Sequence, residues 1–159
     1  MASITIRPAA PSDIGTILGL IRELAEYERA PQEVVATPES LHEHLFGPRP
    51  ACEAIIGEMD GVARGFALYF HNFSTWKGRP GLYLEDLYVQ PASRGAGLGK
   101  ALFRRVASVA IRRGCPRMEW AVLDWNKPAI DFYRAMGAVA MDEWTVYRLT
   151  GDALARAGE

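Results

Sequence analysis

The chain is poor in the residues that build metal centres and disulfide frameworks. Of 159 residues only Cys52 and Cys115 are cysteines, 63 positions apart and with no C-x-x-C spacing, which argues against a disulfide scaffold or a zinc site. The histidines, His42, His44 and His71, have no ligand spacing, so no metal is expected and none of them is given a role. Charge of one sign is also lacking: 18 basic residues stand against 19 acidic ones for a net charge of −1. That balance leaves no electrostatic footprint for nucleic acid or an anionic membrane. No apolar run approaches the roughly 18 residues that a membrane helix needs, and the opening MASITIRPAAPSD has no apolar signal core. Repeats, linkers and low-complexity tracts are missing. Together these absences point to a cytoplasmic enzyme or binding protein with a small-molecule partner, built as a single domain over residues 1–159. A chain of this length buries roughly two thirds of its unfolded surface without covalent staples.

What is present reads as alternating strands and helices. Ile4 and Ile6 alternate with polar residues, and Pro8, Pro11, Ser12 and Asp13 mark a turn and a helix cap. Ile14, Ile17, Leu18, Ile21, Leu24 and Ala25 repeat at three and four, giving a helix that ends near Tyr27 and Glu28. Thr37-Pro38 opens a short second helix to Phe46, stopped by Gly47-Pro48. Two strand runs, Ala54 to Glu58 and Val62 to Phe70, flank an Asp60-Gly61 hairpin signal. A polar excursion, HNFSTWKGRPG, leads to a strand at Leu82. Further on, Leu98, Leu102, Val106, Val109 and Ala110 predict a helix with Arg104, Arg105, Arg112 and Arg113 on a solvated face, ended by Gly114 and Pro116. Met118 to Leu123 reads as a strand, Asn126 to Met136 as a helix capped by Gly137, and Thr145 to Leu149 as a last strand before a weakly specified tail. The fold class is α/β, a central, mostly antiparallel mixed sheet flanked by helices.

The densest chemical signal is Leu82 to Lys100, LYLEDLYVQPASRGAGLGK. An apolar strand carrying two acids runs into closely spaced glycines that open a helix, the layout of an anion site: glycines leave backbone N–H groups unshielded and the helix dipole adds positive potential. A P-loop would need a glycine where Arg94 stands and Ser or Thr where Ala101 stands. A dinucleotide fingerprint would need G-x-G-x-x-G, whereas the glycines fall at 95, 97 and 99. An ordinary strand-to-helix turn reads the same way. The adjacent Glu85 and Asp86 are expected on opposite faces of their strand.

Arg94-x-x-Gly97-x-Gly99 after a strand resembles the pyrophosphate loop of the GNAT acyltransferase superfamily. Within it, IRELAEYE (21–28), STWKGR (74–79), YLEDLYV (83–89), RGAGLGK (94–100), AVLDWN (121–126) and DFYRAMGA (131–138) are similar to the diamine acetyltransferases, nearest their thialysine Nε-acetyltransferase-like branch. Polyamine-acetylating members carry Asp where Ser74 stands and Glu where Lys127 stands. Both changes remove negative charge from the path of a long polycation, and Lys127 adds a repulsive one.

The resemblance implies an acetyl-CoA-dependent N-acetyltransferase acting by direct transfer on the primary amine of a small molecule, a thialysine-like amino acid or short diamine, and a homodimer. It assigns Glu85 as the base, acting through water, and Tyr133 as general acid. Acetyl-CoA would be held by Leu87, Tyr88, Val89, Arg94, Gly95, Ala96, Gly97, Leu98, Gly99, Lys100, Asn126, Lys127, Pro128 and Ala129. The amine would be held by Tyr27, Glu28, Ser74, Thr75, Trp76, Glu85 and Asp86. The residues alone leave bland readings open: a structural acid at 85 or 86, a packed helix tyrosine at 133, a simple helix cap at 126. Two other functions also stay open, a protein or peptide N-terminal acetyltransferase and a coenzyme-A-binding regulatory domain without turnover.

Overall fold

Strand β1, Ile4–Pro8, lies at one edge of a five-stranded sheet with the order β1-β2-β3-β4-β5, where β2 is Glu53–Met59, β3 Val62–Ser74, β4 Arg79–Val89 and β5 Met118–Glu119. Neighbours pair antiparallel except β4 with β5, which is parallel. The computed structural model describes all 159 residues. They fall into two compact units, Met1–Ala121 and Val122–Glu159. No helix is long and apolar enough to cross a membrane.

In the first unit the sheet is covered on both faces. Helices α1, Ile14–Tyr27, and α2, Pro38–Phe46, bury Ile17, Leu20 and Leu45 against Ala54, Ile56, Phe66, Leu68 and Tyr88. The other face takes α3, Leu98–Arg112, which buries Leu98, Leu102, Phe103, Val106, Val109 and Ala110. Gly57 makes that approach possible, since a Cβ there would lie 2.8 Å from Leu98 Cδ1. The hairpin between β2 and β3 turns through Asp60 and Gly61, both with positive φ, the conformation that an Asp-Gly pair favours. Asp60 Oδ1 also accepts the Ser3 N–H at 2.9 Å, holding the turn against the start of the chain.

Several local expectations change. The polar excursion is mostly strand: His71 to Ser74 pairs with Leu82 to Arg79, leaving a short loop at 75–78. Polar residues hid it because the ladder is made by backbone groups. Met118 to Leu123 shortens to Met118–Glu119. Asp13 does not cap α1 through its side chain; its carboxylate instead accepts two bonds from Arg7, at 2.7 and 2.9 Å, and one from the Ala10 N–H at 2.7 Å. Arg113 is not merely solvated, since it grips Glu53 with two bonds of 2.6 and 2.8 Å.

The second unit contains α4, Lys127–Ala135, and α5, Gly151–Ala157. Thr145 to Leu149 is not a strand. Its alternation is real, yet no strand pairs with it, and Val146 and Tyr147 are 84% and 92% exposed. An extended run becomes sheet only when another edge satisfies its backbone groups. The tail beyond it forms α5 in place of an irregular end.

Candidate functional site

Helix α1 ends in a turn that fixes Glu28. The Ala30 N–H reaches the Ala25 carbonyl at 2.9 Å and the Arg29 N–H reaches Glu26 at 3.0 Å, the paired bonds of a Schellman close. Arg29 takes the left-handed position that glycine usually fills, at φ 63°. Helix α4 closes the same way, with Ala138 bonded to the Tyr133 carbonyl at 3.0 Å, but there Gly137 takes the left-handed position.

Strand β4 carries the two acids, and a bulge decides how they point. Leu68 faces Asp86 and Tyr69 faces Leu84, so Glu85 is the extra residue. Leu68 packs in the α1 and α2 core, which puts Asp86 on that side. Tyr69 alternates with Leu68 and so, with Leu84, lies on the α3 side; the next residue, Glu85, returns to the α1 side. Both carboxylates therefore share one face, correcting the expectation that they point apart.

Their electrostatics follow from this. Burial, then the negative charges of Glu85 and Glu28, push the Asp86 carboxyl up to about 7. Burial and Glu85 likewise raise Glu28. Desolvation and like charges both disfavour ionisation of Asp86 and Glu28, so a group that brings positive charge, such as an ammonium, relieves them both. Glu85 also contributes, after burial, to raising the Tyr83 phenol.

The glycine loop supplies a different chemistry. Gly95 and Gly97 have φ of 85° and 93°, and a Cβ at either would meet nothing within 4 Å. None of the N–H groups from Gly95 to Lys100 donates to a backbone acceptor, and the first bond of the new helix is Ala101 to Gly97 at 3.0 Å. A row of unused donors at the start of a 15-residue helix is a ready anion cradle. Beside it, β4 has an open edge, because β5 pairs only with Leu82 and Tyr83 and leaves Leu84 to Val89 without a strand on that side.

Arg94 does not extend freely from the loop. Its Nε donates to the Val89 carbonyl at 2.9 Å, and its guanidinium carbon lies 5.2 Å from the Tyr27 ring centre and 5.5 Å from that of Tyr88. Tyr27, expected at the amine, thus contacts the loop's arginine. Sequence reasoning missed Glu23 and Gln90, which join this group: Glu23 accepts from Gln90 Nε2 at 3.1 Å and from the Tyr88 hydroxyl at 3.4 Å. The available signal was that Glu23 and Tyr27 stand four apart on one helix face.

The β3–β4 hairpin tip is not brought to the acids. Ser74 pairs with Arg79, five residues along from Tyr69, which at about 3.3 Å per residue puts it roughly 16 Å from the bulge. Ser74 is buried and its Oγ accepts the Lys77 N–H at 3.1 Å, so it shapes the turn. Thr75 and Trp76 follow in the loop, with Trp76 82% exposed.

In the second unit, Asn126 caps α4: its Oδ1 accepts the Ala129 N–H at 3.4 Å, with Pro128 in the first turn. Lys127 pairs with Asp131 at 2.6 Å, one helical turn on, so its positive charge is partly offset rather than purely repulsive. The Tyr133 ring meets Phe132 edge-on, with centroids 5.5 Å apart.

Comparison with known proteins gives this arrangement a setting. Residues 19–138 match the acetyltransferase (GNAT) family. The thialysine N-epsilon-acetyltransferase of Bos taurus is 43% identical over 165 residues, spanning 97% of this chain and 96% of the relative. The L-ornithine N5-acetyltransferase of Arabidopsis thaliana is 33% identical, spanning 94% and 85%. Among solved structures, an integron cassette protein from the mobile metagenome of V. cholerae superposes with a TM-score of 0.82 at 27% identity, covering 99% of this chain and 98% of its own.

Proposed function

Since the chain belongs to the GNAT family and is an acetyltransferase, we propose that it acetylates the primary amine of a small molecule, a thialysine-like amino acid or short diamine. Acetyl-CoA, the donor that this family uses, supplies an activated acetyl thioester. The observation that carries the acceptor assignment is the trio Glu28, Glu85 and Asp86, whose mutual repulsion an ammonium relieves. The relatives named for thialysine and ornithine agree with it. We read residues 1–159 as one functional domain, since the family match runs across the boundary between the two units.

An alkylammonium with a pKa near 10.4 is neutral in only about one molecule in 2,500 at pH 7, so freeing its lone pair costs roughly 4–5 kcal/mol. Glu85 takes that proton through water, while Asp86 and Glu28 hold the ammonium until it is lost. The open edge of β4 offers the Leu87 and Val89 N–H groups to the oxygen on which charge develops, whereas the Tyr88 N–H faces β3, as does that of Gln90, which bonds the Arg64 carbonyl at 2.9 Å. The row Gly95, Ala96, Gly97, Leu98, Gly99 and Lys100 holds the pyrophosphate by main-chain N–H groups, with Asn126, Lys127, Pro128 and Ala129 along the pantetheine arm. Tyr133 protonates the departing thiolate, whose conjugate acid near 8.5 lies close enough to a phenol near 10 for a late proton transfer. Thr75 and Trp76 bound the far end of the path of a longer acceptor, and Ser74 acts there only by shaping their turn. A homodimer in the cytoplasm belongs to the same proposal; the exposed Trp144, Val146 and Tyr147 support a second copy, and sedimentation as a monomer would remove it.

The test is coenzyme A release from acetyl-CoA with thialysine, ornithine, short diamines, spermidine and peptides. Small amines are expected to give the highest kcat/KM. A higher value with spermidine overturns the acceptor class, a higher value with peptides makes the protein an N-terminal acetyltransferase, and no release with any acceptor makes it a coenzyme A sensor.

A further inference from the structure

The residue that opens the cofactor loop is also gripped by the helix that ends at Glu28. Arg94 lies between two aromatic faces, Tyr27 from the last turn of α1 and Tyr88 from the end of β4, while its Nε is tied to the Val89 carbonyl. A second tie runs parallel to it. Glu23, one turn before Tyr27 on the same helix, accepts from Tyr88 and Gln90, and the Gln90 Oε1 accepts from Arg64 at 3.4 Å. Glu28 directly follows Tyr27, and Gly95 directly follows Arg94. Any displacement of the last turn of α1 therefore moves an acceptor-site carboxylate and the root of the glycine loop together.

We propose that Arg94 is a positioning residue, a strut between Tyr27 and Tyr88 that makes binding at the glycine loop and binding at the acidic trio depend on each other. This rests on the reading that the loop holds coenzyme A. Ordering the loop fixes Arg94, which fixes the α1 terminus, so whichever ligand binds first lowers the conformational cost of the second. The planar guanidinium is what permits it: a guanidinium stacks on both rings while keeping an N–H for the carbonyl, whereas a lysine ammonium carries its donors at a single point. Tyr27 accordingly acts on the cofactor site through Arg94, whose guanidinium carbon lies 5.2 Å from its ring centre.

The experiment has two arms. In the first, coenzyme A affinity is measured by calorimetry for wild type, Arg94→Lys, Tyr27→Leu, Tyr27→Phe and the Arg94→Lys/Tyr27→Leu double variant. Tyr27→Leu is expected to weaken coenzyme A binding by about three- to tenfold, the range that one or two stacked cation–π contacts span. Tyr27→Phe, which keeps the ring face, should retain wild-type affinity. The double variant should bind no more weakly than the weaker single variant. An unchanged affinity in Tyr27→Leu, or losses that multiply in the double variant, overturns the strut and leaves Arg94 as an independent phosphate ligand. The second arm needs no ligand: hydrogen exchange of the amides of residues 24–30 should speed up in Arg94→Lys, and unchanged exchange also overturns the proposal. If wild type fails to bind coenzyme A at all, the proposed function falls, while the exchange arm still decides the strut.

Discussion

Replacing Asp86 with asparagine is expected to make the protein more stable and less active. Asp86 is held on the α1 face by the bulge at Glu85, partly buried, with two other acids nearby, and its carboxyl is pushed up to about 7 from 3.8. A carboxyl with a raised folded pKa binds more protons folded than unfolded between those values, so stability falls as pH rises from about 4 to 7. Three pKa units at 1.36 kcal/mol each set a ceiling of about 4 kcal/mol, and relaxation of the neighbouring carboxylates brings the expected cost to about 2–4 kcal/mol. Asparagine has the same shape without the charge. Thermal unfolding of wild type and Asp86→Asn should coincide within a degree or two near pH 4 and separate above pH 7. At about 2–4 °C per kcal/mol for a chain of this size, the variant should melt roughly 5–15 °C higher at pH 8. Activity should fall at the same time, because a stored repulsion that an ammonium relieves is part of acceptor binding. A pH-independent difference, or a wild type more stable than the variant at pH 8, refutes the reasoning.

Tyr133→Phe should lower kcat by tenfold or more while leaving acetyl-CoA affinity nearly unchanged; a kcat near wild type removes its role as acid. Arg29→Gly relieves a left-handed residue at the end of α1, which costs about 1 kcal/mol, and should raise Tm by about 2–4 °C in a calorimetric scan. Asp13→Asn loses the charged bonds to Arg7, so urea unfolding at pH 7 should show a loss of about 1.5–3 kcal/mol. Here the sign is opposite to Asp86. Arg7 holds the Asp13 carboxyl below 3.8, so its contribution is complete above that value and disappears as pH falls through the lower folded pKa; the two proteins should converge in strong acid.

Much of the fold was legible because it is written locally. The periodicity from Ile14 to Ala25 and from Leu98 to Ala110 needed no knowledge of neighbours to announce helices, and Asp60-Gly61 announced its hairpin. The glycine loop was equally readable, since positive φ at Gly95 and Gly97 is a property of the residues themselves. Thr145 to Leu149 failed in the opposite way: its alternation is a permission to form a strand, and pairing is a fact about another segment.

By itself the sequence determined the order of elements as far as α4, the anion-binding turn and the presence of two acids upstream of it, because backbone preference and hydrophobic period act within a few residues. Only the tertiary structure decided that those acids share a face. Side-chain direction along β4 depends on its register with β3, and one extra residue opposite Leu68 and Tyr69 reverses what alternation alone predicts. The same holds for Arg94. Its place in the glycine motif was visible in the chain, but the two rings that hold it come from positions 27 and 88, brought to it by the packing of α1 on the sheet.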